Sequence, residues 1–181
     1  PDDAVKVFHG STGPKMTQLE RLLEAPDNLP FNGTGSMRKA FVEKSGDWKD
    51  AIKSKEKPEA ELRAEREGER LAMLAWVRAG ASKDAFESNA FVLPEALVQQ
   101  PITKDFLKVD EQSKEVKPRT LMIKELVTVR CAGCHGAGGE AAKFPLETIE
   151  GLAKYNKEPG SGAISLEKLA LITHTHLMAF A

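Results

Sequence analysis

The chain has 181 residues, of which 41% are hydrophobic and 29% are charged, a composition typical of a globular protein with one domain or two small ones. The 26 basic and 27 acidic residues leave a formal net charge of −1, which argues against a nucleic-acid-binding protein. No run of about 18 apolar residues is present to span a membrane, and two cysteines are too few for a disulfide framework.

The first two thirds of the chain have helical patterns. Thr17 is a suitable N-cap for a short helix over residues 18–24. A longer helix is predicted over residues 59–79 and is ended by Gly80, and its second half is so apolar that it must be buried. The first half of this helix carries acidic and basic residues three and four positions apart, which predicts a solvated face.

The middle of the chain is less regular. Ser82 is expected to cap a short helix, and residues 102–109 fit either a strand or an extended linker. Residues 110–119 are polar and include a proline, so we place a domain boundary there. The sequence thus predicts a mainly α protein. A helical N-terminal domain, residues 1–117, whose role the sequence leaves open, precedes a smaller domain of residues 118–181.

The stretch Cys131-Ala132-Gly133-Cys134-His135 has the C-x-x-C-H pattern by which c-type haem is attached. Two thiols three residues apart on one helical turn can each add across a vinyl group of the same porphyrin. The imidazole of the next residue then lies close enough to ligate the iron. An apolar stripe leads into the motif, and a glycine-rich turn follows it.

Together with Arg130, this stretch resembles the haem-binding motif of c-type cytochromes, and the resemblance covers about the last third of the chain. It implies a small helical cytochrome c-like domain with one covalent haem c. It also implies export from the cytoplasm, haem attachment after export, and electron transfer. By the same resemblance, Cys131 and Cys134 would carry the thioether bonds and His135 would be the proximal iron ligand.

Two other kinds of site remain open for these residues. A bare C-x-x-C also fits a thiol pair, either a disulfide or a thioredoxin-like redox centre. Cys131 and Cys134 with His174 and His176 would form a Cys2His2 zinc module, although the His-x-His spacing differs from the usual His-x3-5-His. The histidine directly after Cys134 favours haem over both.

An electron-transfer haem commonly has a second protein ligand, either His or Met. The end of the chain is rich in such residues, and His174 is the first candidate, followed by His176 and then Met178. On a helix, His174 and Met178 would share a face, because they are four positions apart. His9 and Met37 would need the N-terminal part of the chain to fold over the haem.

The leading functional interpretation is an electron-transfer protein, periplasmic or on the outer face of a bacterial cytoplasmic membrane, that passes single electrons to a partner redox protein. Arg130 and Lys143 are expected near the haem propionates. The alternative is a haem sensor, a small haem enzyme or an oxidoreductase subunit, each of which needs an open iron position.

Residues 166–181 become steadily more apolar. We therefore expect either a continuation into a membrane anchor beyond residue 181 or an apolar helix that packs on the haem.

Overall fold

The computed structural model of the chain describes residues 16–24, 37–44, 48–108 and 119–157. Within these ranges the fold is mainly α, as the sequence predicts, and each strand is two residues long. The helices are α1 (Gln18–Glu24), α2 (Arg38–Glu43), α3 (Trp48–Ser54), α4 (Glu59–Arg78), α5 (Lys83–Glu87), α6 (Ile123–Arg130), α7 (Ala132–His135) and α8 (Ile149–Tyr155). The strands are β1 (Phe91–Val92), β2 (Leu107–Lys108) and β3 (Thr120–Leu121).

Helix α1 spans the predicted residues and begins with a capping box. The Glu20 backbone N–H donates to Thr17 Oγ1 over 3.1 Å, and the Thr17 N–H donates to the Glu20 carboxylate over 3.3 Å. These bonds satisfy donors that the first helical turn would otherwise leave without partners. The prediction of Thr17 as the cap is confirmed, and the capped helix buries Leu19 and Leu23.

Helix α4 is the longest element and packs against α1 and α2. It ends one residue before the predicted end, and Gly80 follows with a φ of +91°, which glycine adopts without strain. The second half is buried as predicted, with Trp76 at 0% exposure. The prediction of a solvated first half was wrong at Arg66, which is 3% exposed. Its guanidinium lies 5.6 Å from the centre of the Trp48 ring in α3, a helix that the sequence patterns did not indicate.

The three short strands pair in the order β1–β3–β2, and both pairings are antiparallel. The ambiguous stretch of residues 102–109 contains a 3₁₀ turn followed by β2. Leu121 is fully buried in the central strand and is the register partner of Phe91 in β1 and of Leu107 in β2. The apolar stripe before the motif is therefore helical only from Ile123 onward, because the two preceding strand residues pair in the sheet.

One buried apolar cluster connects the helices before residue 108 with those after residue 119. It includes Leu19 in α1, Met73 and Trp76 in α4, Leu126 in α6 and Leu152 in α8, each at most 2% exposed. The helices that carry the C-x-x-C-H motif thus share a core with the helices that precede them. The predicted boundary between residues 117 and 118 lies outside the described residues and stays a prediction.

The predicted apolar end of the chain, residues 166–181, also lies outside the described ranges. None of the helices within those ranges is both long enough and apolar enough to cross a membrane. The expected membrane anchor beyond residue 181 stays a prediction.

Candidate functional site

The C-x-x-C-H motif begins at Cys131, where α6 ends, and its other four residues form the short helix α7. The Cys131 carbonyl accepts from the backbone N–H of Cys134 over 3.2 Å and from that of His135 over 2.8 Å. The two cysteines therefore lie on one helical turn, as the motif predicts, and both thiols are free. All three residues line the same cavity, so two sulfur atoms and one imidazole border one space.

The His135 ring is held by a hydrogen bond to the backbone. Its Nδ1 lies 2.8 Å from the Phe144 carbonyl oxygen. Because a carbonyl oxygen can only accept, Nδ1 must carry the proton, and the lone pair of the neutral ring is then on Nε2. Metal-binding histidines are oriented by the same kind of bond. This bond makes Nε2 of His135 the nitrogen suited to ligate a metal.

Glycines after the motif allow the chain to bring Phe144 back beside it. Gly138 has a φ of +84°, and Gly139 lies so close to the motif that a Cβ there would collide with the Cys134 carbonyl. The Ala141 N–H donates to the same carbonyl over 2.8 Å, and the Phe144 N–H donates to the Ala141 carbonyl over 2.8 Å. Hydrogen bonds among residues close in sequence therefore bring the chain back beside His135.

Two neighbouring cavities with shared lining residues border the motif, and we call them together the motif cleft. The cavity beside the cysteines has a volume of about 50 Å³, and the second cavity has a volume of about 240 Å³. Helices α1, α2 and α4 contribute to the walls together with α7 and α8. The two cavities share Leu19, Met37, His135 and Leu146. The other apolar lining residues include Leu22, Leu23, Phe41, Met73, Phe144 and Leu152.

Burial makes the first cysteine a poor acid. Cys131 is 8% exposed, and this burial, with a smaller contribution from Cys134, raises the pKa of its thiol to about 12. The nearby positive charge of Arg130 opposes the rise without cancelling it. The Cys131 thiol therefore stays protonated at neutral pH, whereas a thioredoxin-like redox pair depends on a thiolate with a lowered pKa.

Arg130, the residue before the motif, forms a buried ion pair with Glu69 of α4. Its Nε and Nη2 donate to the two carboxylate oxygens over 2.7 and 3.2 Å, and Glu69 is 0% exposed. Thr103 Oγ1 donates to the same carboxylate over 2.6 Å. The Arg130 guanidinium also lies 4.8 Å from the centre of the Phe106 ring. The positive charge of Arg130 beside the motif is thus paired with a carboxylate of α4, a helix far away in the chain.

The predicted site residues fall into two groups. The described group comprises the two cysteines and His135, which the structure brings together, and Met37, which lines both cavities of the cleft. Lys143 lines the second cavity, but its proximity to haem propionates stays a prediction. The remaining predicted ligands lie outside the described residues, and their role stays a prediction: His9, His174, His176 and Met178.

Sequence reasoning missed three contributors to the site. They are the Glu69 carboxylate, the Thr103 hydroxyl and the Phe144 carbonyl. Glu69 lies among charged residues of α4, so its sequence neighbours do not distinguish it from a surface residue. The only signal was its position next to the apolar half of the helix, and that signal is weak. A backbone carbonyl has no sequence signature at all.

The chemistry of the motif cleft fits a covalently attached haem. Two free thiols can form thioethers, His135 can ligate iron, and the walls are mostly apolar, as a porphyrin requires. The larger cavity is below the roughly 300–1,000 Å³ of a typical small-molecule pocket, so a haem would have to widen the cleft or leave one edge in solvent. Within the described ranges, no group of three His, Cys, Asp or Glu side chains is arranged to hold a metal ion.

The chain matches no family model, and no curated protein and no solved structure is significantly similar to it. The function of the motif cleft is therefore inferred from its residues and their geometry.

Proposed function

We propose that this chain is an electron-transfer protein that carries one haem c bound to Cys131 and Cys134 and ligated by His135. The hydrogen bond from His135 Nδ1 to the Phe144 carbonyl carries the proposal, because it orients the imidazole as metal-ligating histidines are oriented. The two free cysteines on the same turn supply the attachment chemistry. The apolar cleft beside them suits the porphyrin ring.

The residues around the cleft would hold and tune the cofactor. Haem iron, when bound, supplies a one-electron redox couple. Leu19 and Leu146, which border both cavities, would exclude water from the ring. Lys143 lines the second cavity and offers a positive charge to the propionates. The buried Arg130–Glu69 pair places fixed charges beside Cys131 and would influence the reduction potential.

A cytochrome c-like arrangement of the helices is part of this proposal. Helices α6, α7 and α8 carry or flank the motif, and α1, α2 and α4 provide further walls of the cleft. In this arrangement the N-terminal helices cover the cofactor. That role accounts for the shared core between the two parts of the chain.

The location and the partner follow from the same proposal. The resemblance to c-type cytochromes implies haem attachment outside the cytoplasm, so we place the protein in the periplasm or on the outer face of the cytoplasmic membrane. Its partner would be another redox protein rather than a nucleic acid, which the net charge of −1 does not favour.

Intact-mass measurement tests the proposal directly. The chain would be expressed with an export signal in a bacterium that matures c-type cytochromes. We expect the mass of one haem to be added and to resist extraction with acidified organic solvent. The double variant Cys131→Ala/Cys134→Ala should lack this mass. The matched variant His135→Ala should show whether covalent haem can be retained while axial ligation by the protein is changed.

Three other outcomes would contradict the proposed function. Wild-type protein without haem, from cells that mature a control cytochrome, would overturn the proposal. Zinc in that protein would support the Cys2His2 module. Covalent haem with a high-spin iron that binds carbon monoxide would replace electron transfer by the sensor or enzyme alternative.

A further inference from the structure

His135 and Met37 each border both cavities of the motif cleft. Of the four residues that border both cavities, the two leucines have no ligating atom, so the shared walls offer one imidazole and one thioether. Within the part of the chain that the structure describes, every other potential ligand at the cleft borders one cavity only. A histidine and a methionine are a ligand pair that suits haem iron in electron transfer.

The Met37 backbone is fixed by two hydrogen bonds. Its N–H donates to the Leu22 carbonyl of α1 over 2.8 Å, and its carbonyl accepts from the Phe41 N–H of α2 over 2.8 Å. Met37 is thus the N-cap residue of α2 and ties the start of that helix to α1. Its side chain is half-buried and packs against the apolar core, so the thioether is held beside the cleft.

A network of charged side chains holds the same corner of the molecule. Arg38, next to Met37, donates to the Glu67 carboxylate over 2.9 Å. Arg70 donates to that carboxylate over 2.6 Å and to the Leu23 carbonyl over 2.6 Å. The network joins α1, α2 and α4 beside the cleft. Because these helices are already fixed, little conformational entropy would be lost when Met37 binds a ligand in the cleft.

We propose that the thioether of Met37 is the second axial ligand of the haem iron, together with His135. The inference rests on the proposed haem site and adds a role for the N-terminal helices in iron ligation. It assigns to Met37 the position for which the sequence alone favours His174. A thioether ligand favours ferrous iron relative to a second imidazole, so the reduction potential would be higher than that of a bis-histidine site.

Met73 provides a matched control. It also lines the motif cleft, but it borders only the cavity beside the cysteines and is 1% exposed in the second half of α4. Replacing either methionine by leucine nearly conserves the side-chain volume and replaces the thioether by a branched hydrocarbon that cannot ligate iron. The two variants therefore separate iron ligation from packing in the cleft.

Absorption and magnetic circular dichroism of the holoprotein test the inference. Ferric haem with a methionine ligand has a weak sulfur-to-iron charge-transfer band at long wavelength, which a bis-histidine haem lacks. We expect this band in the wild type and in Met73→Leu, and its complete loss in Met37→Leu. Ferrous Met37→Leu should bind carbon monoxide readily, whereas wild-type protein should resist it. Met37→His should remain six-coordinate and low-spin without the band.

The wild-type spectrum tests the role of Met37 even if both Met37 variants fail to fold. The chain has five methionines, and a variant with leucine at the other four should keep the band. A low-spin wild type without the band, or a band that survives in Met37→Leu, would overturn the inference. Loss of the low-spin state in His174→Ala would then assign the position to the C-terminal cluster. A high-spin wild type would also overturn it. Absence of covalent haem by mass is a separate result and would overturn the proposed function itself.

Discussion

The two sides of the motif cleft are built in different ways. On the attachment side, the residues from Cys131 to Phe144 bond to one another, and the His135 ring reaches a carbonyl only nine positions away. On the covering side, α1 and α2 are brought together through α4. The Arg70 guanidinium of α4 donates to the Leu23 carbonyl across 47 positions of sequence. The attachment side is local in sequence, whereas the covering side depends on tertiary contacts.

The two sides control different properties of the motif cleft. A local turn can orient two thiols and one imidazole with few requirements on the rest of the fold. The covering side would determine how far water and a second ligand reach the proposed haem. The Arg130–Glu69 pair, whose members are 61 positions apart, joins the two sides.

Loss of the Arg130–Glu69 ion pair should have the largest effect on the free energy of unfolding. In Glu69→Ala, the buried Arg130 charge loses its carboxylate partner, so we expect the free energy of unfolding to fall by about 3–5 kcal/mol. Urea denaturation would measure the loss. Glu87→Ala is the matched control, because Glu87 pairs with Lys83 over 3.4 Å at 60% exposure and should contribute at most about 1 kcal/mol. Equal losses in both variants would mean that the buried pair does not join the two sides.

Alanine substitution should destabilise the protein at one glycine after the motif and be tolerated at another glycine within it. A Cβ at Gly139 would meet the Cys134 carbonyl, so Gly139→Ala should cost about 1–3 kcal/mol and lower the yield of covalent haem. Gly133 lies inside α7 with nothing within 4 Å of an added Cβ. Gly133→Ala should therefore be neutral or stabilising by up to about 1 kcal/mol. Denaturation midpoints and haem-to-protein ratios would be compared; similar values for the two variants would contradict a locally built turn.

Alkaline pH should destabilise the apoprotein through Cys131. The folded-state pKa of about 12 lies above the ordinary value of 9.0, so both states are protonated below pH 9 and the full stability is present there. Between pH 9 and 12 the unfolded chain releases this proton first. Stability should therefore fall by at most about 1.4 kcal/mol per pH unit. Unfolding of reduced apoprotein would measure the slope. Cys131→Ala should lack this contribution and Cys134→Ala should retain it; identical slopes in the two variants would refute the assignment.

On the covering side, removal of the helix cap of α1 should have the smallest effect on the free energy of unfolding. Thr17→Ala removes the hydroxyl that accepts from the Glu20 N–H, and we expect a loss of about 1 kcal/mol. Thr17→Ser keeps the hydroxyl and should lose little. Thermal unfolding would measure both variants. Covalent haem content should be unchanged in Thr17→Ala, because the attachment side does not depend on α1. A large drop in haem content would show that the two sides are not separable.

Several elements follow from local sequence because their stabilising contacts are local. The Thr17 cap and the end of α4 at Gly80 were predicted because capping residues act on neighbouring backbone groups. The turn that places Cys131, Cys134 and His135 beside one cavity was predicted for the same reason. The mainly α character and the burial of the apolar half of α4 also follow from composition and periodicity.

The tertiary structure decided what covers the motif. Sequence patterns predicted a solvated face for the first half of α4, but neighbouring elements bury Arg66, and Glu69 in the following turn, with their partners. Residues 120 and 121 pair with strands far away in the chain, so the predicted helix starts later. Met37 reaches the cleft because α1, α2 and α4 pack together. The local chemistry of Cys131, Cys134 and His135 follows from the sequence alone, since one helical turn is enough to bring these three groups together. The burial of individual side chains and their contacts with residues distant in sequence could be found only from the folded structure, because periodicity cannot show which helices will pack together.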